Sequence, residues 1–359
     1  MPIRGKYLSL CANIFRFMFD SHEIEAVHKS LSVPQKIVLV SHKNPDGDTI
    51  GASLAMMHYL RKKGHEVTAL VPNKFPSFYN WLPGAGEMII FDQNAAAVRA
   101  ALSAGDLLIC LDFNALNRTG NMSPDLENFS GKKIVIDHHL EPSEEFDYYF
   151  CSSAASSTGE LVYEFVEALG DKALLGMNEA LALYTCIMTD TGSFSYNCNH
   201  GRTYHIVAEL IDIGIDAANV HKLVYDTYTE SRLRLLGFAL SSRLLVWENL
   251  HTAVIYLTRE DLKKFDYQVG DTEGLVNYGL SMGKINLAVL LTEKDNQIRI
   301  SFRSKGDFSV NRLSRDFFNG GGHKNASGGT SKLSMENTIA NLKKVLSQLK
   351  GELDYTVSL

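Results

Sequence analysis

The stretch KIVLVSHKNPDGDTIGASLAM, residues 36–56, joins an apolar segment to a helix-like segment through a short polar turn. The run IVLV predicts a buried strand, and the helical pattern that follows the turn stops at Gly64. The turn itself carries His42, Asp46 and Asp48. An aspartate at such a position most often caps the helix, so a function for the crowded turn needs further observations.

Strand-like and helix-like segments continue to alternate after this turn. Short apolar runs at 67–71, 107–113 and 133–137 predict three further buried strands, and residues 157–213 have the pattern of successive helices. Such alternation favours a mostly parallel, doubly wound sheet with helices on both faces. We therefore expect an α/β fold.

The length of 359 residues exceeds that of one typical domain, so the sequence predicts two. The larger would be the doubly wound parallel-sheet domain and the smaller a mixed α/β domain, with the active site in the cleft between them. The predicted parts are an N-terminal helical extension, the larger domain, a linker formed by one helix, and the smaller domain, over residues 1–35, 36–221, 222–242 and 243–359, respectively.

Cysteine content and hydropathy bear on the compartment. The chain has five cysteines and no C-x-x-C pair, which argues against a disulfide framework or a zinc ribbon. The apolar run near the N-terminus is interrupted by Arg16 and is too short to span a bilayer. We interpret it as a peripheral helix, or as residues upstream of a true start at Met18. The prediction is a cytoplasmic protein without a membrane partner.

Charge is distributed unevenly along the chain. Residues 231–359 hold 18 Lys and Arg against 13 Asp and Glu, whereas residues 1–230 hold 17 against 28. An acidic first part suits cations and a basic second part suits phosphates, although two solvated surfaces would account for the same counts.

Polar residues follow two of the other predicted strands. Asp112 ends one of them, and Asp137, His138 and His139 end another. Because the carboxyl ends of parallel strands share one edge of a sheet, these residues should lie close to the turn at 42–48.

Asp190 is predicted at the end of a helix, where the helix dipole disfavours a negative charge and a cation would compensate it. Each residue alone has an ordinary explanation as a turn or cap, but this many aspartates and histidines at one edge need positive charge. A set of histidine and aspartate donors that contains no cysteine favours Mn²⁺ over structural zinc, with Mg²⁺ or Co²⁺ as alternatives. Two such ions about 3.5–4 Å apart activate water and neutralise a phosphoryl oxygen, which predicts phosphate ester hydrolysis.

Five motifs in a fixed order give the chain a family resemblance. They are HKNPDGD (42–48), LDFN (111–114), DHH (137–139), TDTGSF (189–194) and GGGHKNASGG (320–329). The series resembles the DHH phosphoesterase family, in the subfamily with the first type of DHH-associated C-terminal domain, and covers residues 36–349. The chain is most similar to the bacterial nanoRNase type, which hydrolyses short oligonucleotides and dephosphorylates 3′-phosphoadenosine 5′-phosphate (pAp).

The resemblance implies a role for each polar residue at the sheet edge. The implied ligands are His42, Asp46 and Asp112 for one metal ion, and Asp48, Asp112, His138 and Asp190 for the other. Asp112 would bridge the two ions, and Asp137 would orient the tandem histidines. His139 would contact the scissile phosphate or assist the leaving oxygen. The implied catalytic residues are thus Asp112, Asp137, His138 and His139.

The glycine-rich stretch 320–329 has two interpretations. It is a flexible loop in many proteins, but consecutive glycines also let backbone N–H groups approach an anion, and His323 and Lys324 add donors. Arg303 could clamp a phosphate with two hydrogen bonds. In the family this module binds the nucleotide end of the substrate. The implied substrate-binding residues are His139, Arg303, Gly321, Gly322, His323, Ala326, Ser327 and Gly328.

The expected activity is metal-dependent hydrolysis of oligonucleotides of a few residues, RNA or DNA, together with dephosphorylation of pAp to AMP. Net acidity and the lack of a long basic groove argue against long nucleic acids as partners. The alternative is a phosphodiesterase for cyclic di-AMP or for its linear product pApA. A non-catalytic nucleotide-binding module is less favoured because all ligand positions are intact. The sequence leaves open whether the protein forms a homodimer.

Overall fold

The structure is a computed structural model that describes residues 19–294 and 296–354. The chain forms two compact units that divide between Asp226 and Thr227. The predictions for residues 1–18, a peripheral helix or a start at Met18, lie outside the described residues. In the remainder of the predicted N-terminal extension, Ser21–Ser30 form a helix capped by Asp20.

The first unit is built on a six-stranded sheet with the order β3-β2-β1-β4-β5-β6, in which every neighbouring pair is parallel. The predicted doubly wound α/β fold is confirmed. The short edge strands β3 and β6 are additional to the strands predicted from the sequence. The strands are β1 (Lys36–Ser41), β2 (Glu66–Val71), β3 (Ile89–Ile90), β4 (Leu107–Leu111), β5 (Lys132–Asp137) and β6 (Tyr148–Cys151).

Both faces of this sheet are buried, which explains its uniformly apolar strands. Along β1, Ile37 and Leu39 enter one apolar core, and Val38 and Val40 enter another. The helices of this unit are α1 (Ser21–Ser30), α2 (Gly47–Lys62), α3 (Phe91–Ala104, kinked at Asn94), α4 (Ser123–Glu127), α5 (Thr158–Ala168), α6 (Met177–Asp190), α7 (Gly201–Asp212) and α8 (Ala217–Tyr225).

Helix α2 packs closely against α6 because glycines remove side chains from the contact. A Cβ atom on Gly47 would come within 2.3 Å of Thr189 Oγ1, and one on Gly51 within 2.5 Å of the Ala182 carbonyl oxygen. The two helices are therefore antiparallel. The start of α2 lies beside the end of α6, at Asp190.

The second unit contains a mixed six-stranded sheet with the order β11-β12-β10-β9-β8-β7. Strands β8 and β9 are parallel, and the other neighbours are antiparallel. Its strands are β7 (Leu244–Trp247), β8 (Thr252–Leu257), β9 (Leu287–Lys294), β10 (Gln297–Ser304), β11 (Gly321–Gly322) and β12 (Ala326–Ser331). Its helices are α9 (Glu230–Ser242), α10 (Arg259–Lys264), α11 (Leu275–Leu280), α12 (Val310–Phe317), α13 (Met335–Gln348) and α14 (Lys350–Leu353). The predicted smaller mixed α/β architecture is confirmed.

The single helix predicted over residues 222–242 is wrong. Helix α8 ends at Tyr225 and α9 begins at Glu230, so residues 226–229 separate the two helices. Thr229 caps α9 by accepting a hydrogen bond from the N–H of Arg232. Threonine is more favourable as an N-cap than inside a helix. Thr229 can therefore separate the two helices although the break contains no proline or glycine.

Two properties relevant to the compartment are visible in the described part of the chain. Its four cysteines are unpaired. None of its helices combines the length and the apolar character that a bilayer span requires.

Candidate metal centre

Strand register aligns three predicted site residues at one edge of the parallel sheet. Ser41 of β1, Leu111 of β4 and Ile136 of β5 lie side by side in the register of the sheet. His42, Asp112 and Asp137 each follow directly, so they form a row. Asp112 has a φ of 68°, in the left-handed region that strains most residues other than glycine. Backbone strain of this kind is concentrated at functional sites.

The first candidate ligand set is His42, Asp46 and Asp112, whose ligand atoms all lie within 4.8 Å of one another. His42 Nε2 is 3.3 Å from Asp112 Oδ2 and 3.8 Å from Asp46 Oδ2. His42 Nδ1 lies 2.9 Å from the carbonyl oxygen of Lys43, which orients the ring with Nε2 toward the carboxylates. Donor atoms at these separations can share one divalent ion.

The second candidate set is Asp48, Asp112 and His138, with ligand atoms again within 4.8 Å. His138 Nε2 lies 3.5 Å from Asp48 Oδ2, 3.6 Å from Asp112 Oδ1 and 3.5 Å from Asp190 Oδ2. Asp112 therefore presents Oδ2 to the first set and Oδ1 to the second. Nitrogen and carboxylate donors without cysteine fit two divalent ions such as Mn²⁺ or Mg²⁺, with Asp112 able to bridge them.

Asp46 shows that the capping interpretation and the ligand interpretation are compatible. Its Oδ1 accepts hydrogen bonds from the N–H groups of Asp48 and Thr49, at 3.1 and 3.2 Å, and so caps α2. Its Oδ2 faces His42. One carboxylate can therefore start the helix and still offer an oxygen to a cation.

The N-terminus of α5 contributes residues that sequence reasoning missed. The backbone N–H groups of Thr158 and Gly159 donate to the two carboxylate oxygens of Asp48, at 2.7 and 3.0 Å. The Thr158 hydroxyl donates to Asp112 Oδ1 at 3.0 Å. The helix dipole favours these anions. The sequence signal is the capping residue Ser157, which indicates the start of a helix but not which carboxylates that helix will meet.

The tandem histidines are oriented by different groups. His139 Nδ1 lies 2.7 Å from Asp137 Oδ1, which matches the orienting role expected of Asp137. His138 Nδ1 instead faces the carbonyl oxygen of Ala155, at 3.5 Å. Asp137 is therefore placed to orient His139, and the Ala155 carbonyl oxygen faces the ring of His138.

Burial controls the protonation of these histidines. It lowers the pKa of His138 to about 4, and the neighbouring His139 adds to the effect. It also lowers the pKa of His139 to about 3, with contributions from the neighbouring Arg118 and His42. Both rings are neutral at pH 7, which is the form of imidazole that binds a metal ion.

The carboxylates respond in the opposite direction. Burial raises the pKa values of Asp48 and Asp112 well above the usual range. Repulsion by neighbouring carboxylates adds to it, from Asp112, Asp190 and Asp46 for Asp48, and from Asp46, Asp137 and Asp190 for Asp112. Several carboxylates in one buried place are unfavourable as free anions. Divalent cations would offset that cost, so the charge of the cluster fits a metal centre.

The second unit brings most of the predicted substrate-binding residues onto neighbouring strands. Arg303 pairs with Ala326, and the glycine stretch is a β-hairpin, not a flexible loop. His323 lies in its turn, where its N–H donates to the Ala326 carbonyl at 2.7 Å. The Ser327 side chain is buried and its hydroxyl donates to the Val310 carbonyl at 2.7 Å, so that hydroxyl is used inside the unit. The other predicted residues in paired backbone positions of this hairpin are Gly321, Gly322 and Gly328.

Comparison with known proteins gives two domain matches and several relatives. Residues 36–189 match the N-terminal domain of the DHH family, and residues 249–352 match the DHHA1 domain. A solved structure described as an exopolyphosphatase-related protein from Bacteroides fragilis is 40% identical, with a TM-score of 0.89, and covers 95% of this chain and 100% of its own.

Two curated relatives are more distant. The bifunctional oligoribonuclease and PAP phosphatase NrnA of Bacillus subtilis is 28% identical over 84% of this chain and 90% of its own length. The cyclic-di-AMP phosphodiesterase GdpP of the same organism is 26% identical over 90% of this chain but only 49% of its own length. With both domain matches in order and a 40% identical relative along almost the whole length, the chain belongs to the DHH family.

Proposed function

We propose that this protein is a metal-dependent phosphoesterase that hydrolyses short oligoribonucleotides and removes the 3′ phosphate of pAp. The observation that supports this most is the placement of Asp112, whose two oxygens face two separate sets of histidine and aspartate donors. A pair of divalent ions held by these sets would supply Lewis acidity to a phosphoryl group and an activated water. The metal ligands remain those predicted from the sequence.

His139 has a definite protonation pattern in this proposal. Its Nδ1–H donates to Asp137, so the neutral ring carries its lone pair on Nε2. That atom can accept a proton from water or a hydroxyl group but cannot donate one until it has been protonated. Both roles expected for His139, a hydrogen bond to the scissile phosphate and help to the leaving oxygen, would therefore need prior proton uptake at Nε2.

The substrate class is supported by relatives and by charge. The curated relative from Bacillus subtilis is named for oligoribonucleotides and PAP, and it aligns along most of both chains. Residues 231–359 carry an excess of basic side chains, which favours a phosphate-bearing ligand for the second unit. The cytoplasmic location, the domain limits and the preference for Mn²⁺ stay predictions.

Hydrolysis of cyclic di-AMP or pApA is the second candidate. It is favoured by the similarity to the cyclic-di-AMP phosphodiesterase, which also extends along 90% of this chain. The same metal centre would serve both reactions, so product analysis is needed to distinguish the two activities.

The test is to incubate the purified protein and Mn²⁺ with a 5′-phosphorylated diribonucleotide other than pApA, a longer RNA, pAp, pApA and cyclic di-AMP in parallel, with a chelator control. Chelator-sensitive cleavage of the dinucleotide and phosphate release from pAp would support the proposal. A preference for cyclic di-AMP would favour the second candidate. Absence of hydrolysis of all five compounds by metal-loaded, folded protein would contradict both.

A further inference from the structure

Arg118 is a half-buried arginine that the proposed chemistry has not used. It lies in a 3₁₀ segment, Leu116–Met122, that follows β4 and Asp112. Within residues 19–294 and 296–354, its side chain makes no hydrogen bond or ion pair. A guanidinium carries five donors and a permanent charge, and partly buried arginines are usually paired. An arginine held in this state can bind an anion from outside the protein.

Arg118 lies beside the metal centre. Its backbone carbonyl accepts a hydrogen bond of 2.9 Å from the N–H of Lys43, the residue after the candidate ligand His42. Among neighbouring charges, that of Arg118 acts most strongly on His139, whose Nδ1 is 3.8 Å from Asp112 Oδ1. The guanidinium therefore belongs to the same side of the first unit as the two ligand sets.

Lys43 adds a second positive charge at this rim. Its side chain is exposed, and in the described part of the chain it makes no hydrogen bond or ion pair. The aliphatic part of Lys43 lies against Gly120, where a Cβ would be only 2.8 Å from Lys43 Cδ. Gly120 has a φ of 65°, so its lack of a side chain permits both the turn and the close approach of the lysine.

The 3₁₀ segment is held firmly next to the loop that follows the DHH motif. The N–H of Leu116 donates to Glu145 Oε2 at 3.1 Å, and Asn114 Nδ2 donates to the carbonyl oxygen of Leu140 at 2.7 Å. The N–H of Ser143 donates to the carbonyl oxygen of Asn114 at 2.7 Å. These hydrogen bonds hold the backbone that carries Arg118, so only its side chain has to become ordered when an anion binds.

We propose that Arg118 and Lys43 form a phosphate-binding site of the first unit, in which Arg118 donates to a non-bridging oxygen of the phosphoryl group under attack. This inference rests on the proposed phosphoesterase function and adds a substrate-contacting residue to it. The guanidinium fork matches two oxygens of one phosphate, and lysine acts as a point charge. Arg118 would then stabilise the negative charge on those oxygens, next to the cations that the two ligand sets would hold.

The experiment compares Arg118→Gln, Arg118→Lys and Lys43→Ala with the wild-type protein. For each, calorimetry measures the affinity for Mn²⁺ and the affinity of the Mn²⁺-loaded protein for inorganic phosphate, and kinetics measures kcat and KM for the best nucleotide substrate. Arg118→Gln should lower kcat by about 100–1000-fold, as loss of a transition-state donor does. It should also weaken phosphate binding by about 10–100-fold, since a hydrogen bond to a charged group is lost.

Two further results are expected if the site is correct. Mn²⁺ affinity should stay unchanged in all three variants, and Arg118→Lys should recover part of the lost phosphate affinity. Lys43→Ala, at an exposed position that leaves the fold intact, should weaken phosphate binding with a smaller effect on kcat. The matched control is Arg99→Gln, because Arg99 is exposed and paired with Asp125 at 2.9 Å, and it should behave as wild type.

Wild-type kcat and phosphate affinity in Arg118→Gln would overturn the inference. A parallel loss of Mn²⁺ affinity would also overturn it, because Arg118 would then act through the metal centre. If the wild-type protein binds phosphate in an Arg118-dependent way but hydrolyses none of the nucleotides, the phosphate site stands and the proposed substrates fail. Absence of phosphate binding by the Mn²⁺-loaded wild type would overturn the site.

Discussion

Replacing Asp112 by asparagine should make the metal-free protein more stable and the metal-loaded protein less stable than wild type. The substitution keeps the size of the side chain and an oxygen that can accept the Thr158 hydroxyl. It removes one negative charge from a buried cluster and one of the two anionic oxygens that a pair of ions could share. Opposite effects in the two states distinguish a metal centre from an ordinary polar network.

The magnitude follows from the distance between two carboxylates. Oxygens of Asp48 and Asp112 lie within 4.8 Å of each other. Two unit charges at that separation repel by about 3.5 kcal/mol at an effective dielectric constant of about 20. Burial raises the pKa of both carboxyls, so their charged forms are disfavoured and the gain from the substitution is smaller than the full repulsion. We expect the free energy of unfolding in chelator to rise by about 1–2 kcal/mol, or about 2–8 °C in Tm for a unit of this size.

Metal binding reverses the order of stability of the wild-type protein and the variant. Mn²⁺ at about 100 times its Kd should stabilise the wild-type protein by about 2.7 kcal/mol, whereas the variant with one anionic bridge removed should gain little. The assay is thermal unfolding of both proteins in chelator and over a series of Mn²⁺ concentrations. Asp106→Asn is the matched control, because Asp106 precedes the same strand at its other end and accepts a hydrogen bond from the N–H of Lys36. It should keep the full response to Mn²⁺.

An equal Mn²⁺-induced shift of Tm in Asp112→Asn and wild type would refute the bridging assignment. A strong loss of stability of the variant in chelator would refute the argument from charge repulsion, since the aspartate would then be a net stabilising group without metal.

Three further predictions concern residues that position the centre or stabilise a unit. Thr158→Val removes the hydroxyl donor to Asp112 and should lower Mn²⁺ affinity by about 10–100-fold, as measured by calorimetry. Gly47→Ala places a methyl group against the end of α6 and should cost about 1–3 kcal/mol of stability in urea unfolding, with weaker Mn²⁺ binding. Although burial opposes it, hydrogen bonds from Arg243 and the adjacent cap hold the pKa of Asp261 below its usual value. The stability from that ion pair is present above the unfolded pKa and is lost as the pH falls through the folded pKa, so Asp261→Asn should cost about 1.5–3 kcal/mol at pH 7 and progressively less in acid.

Each of these predictions has a matched control. Thr185→Val removes a hydroxyl that only bonds to a carbonyl within α6, so it should leave Mn²⁺ affinity unchanged. Gly86→Ala adds a methyl group where no atom lies within 4 Å, so it should not destabilise the protein. Asp307→Asn removes an exposed partner of Lys324 and should have little effect at any pH. A cost of Asp261→Asn that grew in acid, or wild-type Mn²⁺ affinity in Thr158→Val, would contradict the respective argument.

The parallel sheet and the row of His42, Asp112 and Asp137 are predictable from local patterns. Apolar runs define the strands, and parallel strands in one sheet end at one edge, so residues that follow the strands meet there. The edge strands and the break between α8 and α9 are not predictable in this way. Their segments are short, or carry a capping residue whose effect depends on competition with the continuing helix.

The contacts that complete the candidate centre depend on tertiary packing. Thr158 is 110 residues from Asp48 in sequence, and its capping pattern gives no information about which carboxylate its N–H will meet. Likewise, the position of Arg118 next to Lys43 depends on a backbone hydrogen bond between loops that follow two separate strands. Residue types and periodicity specify which residues follow the end of each strand, because those are local properties of the chain. Their distances, partners and charges are decided by the packing of α2, α5 and α6 around that edge, since only the folded chain brings distant segments into contact.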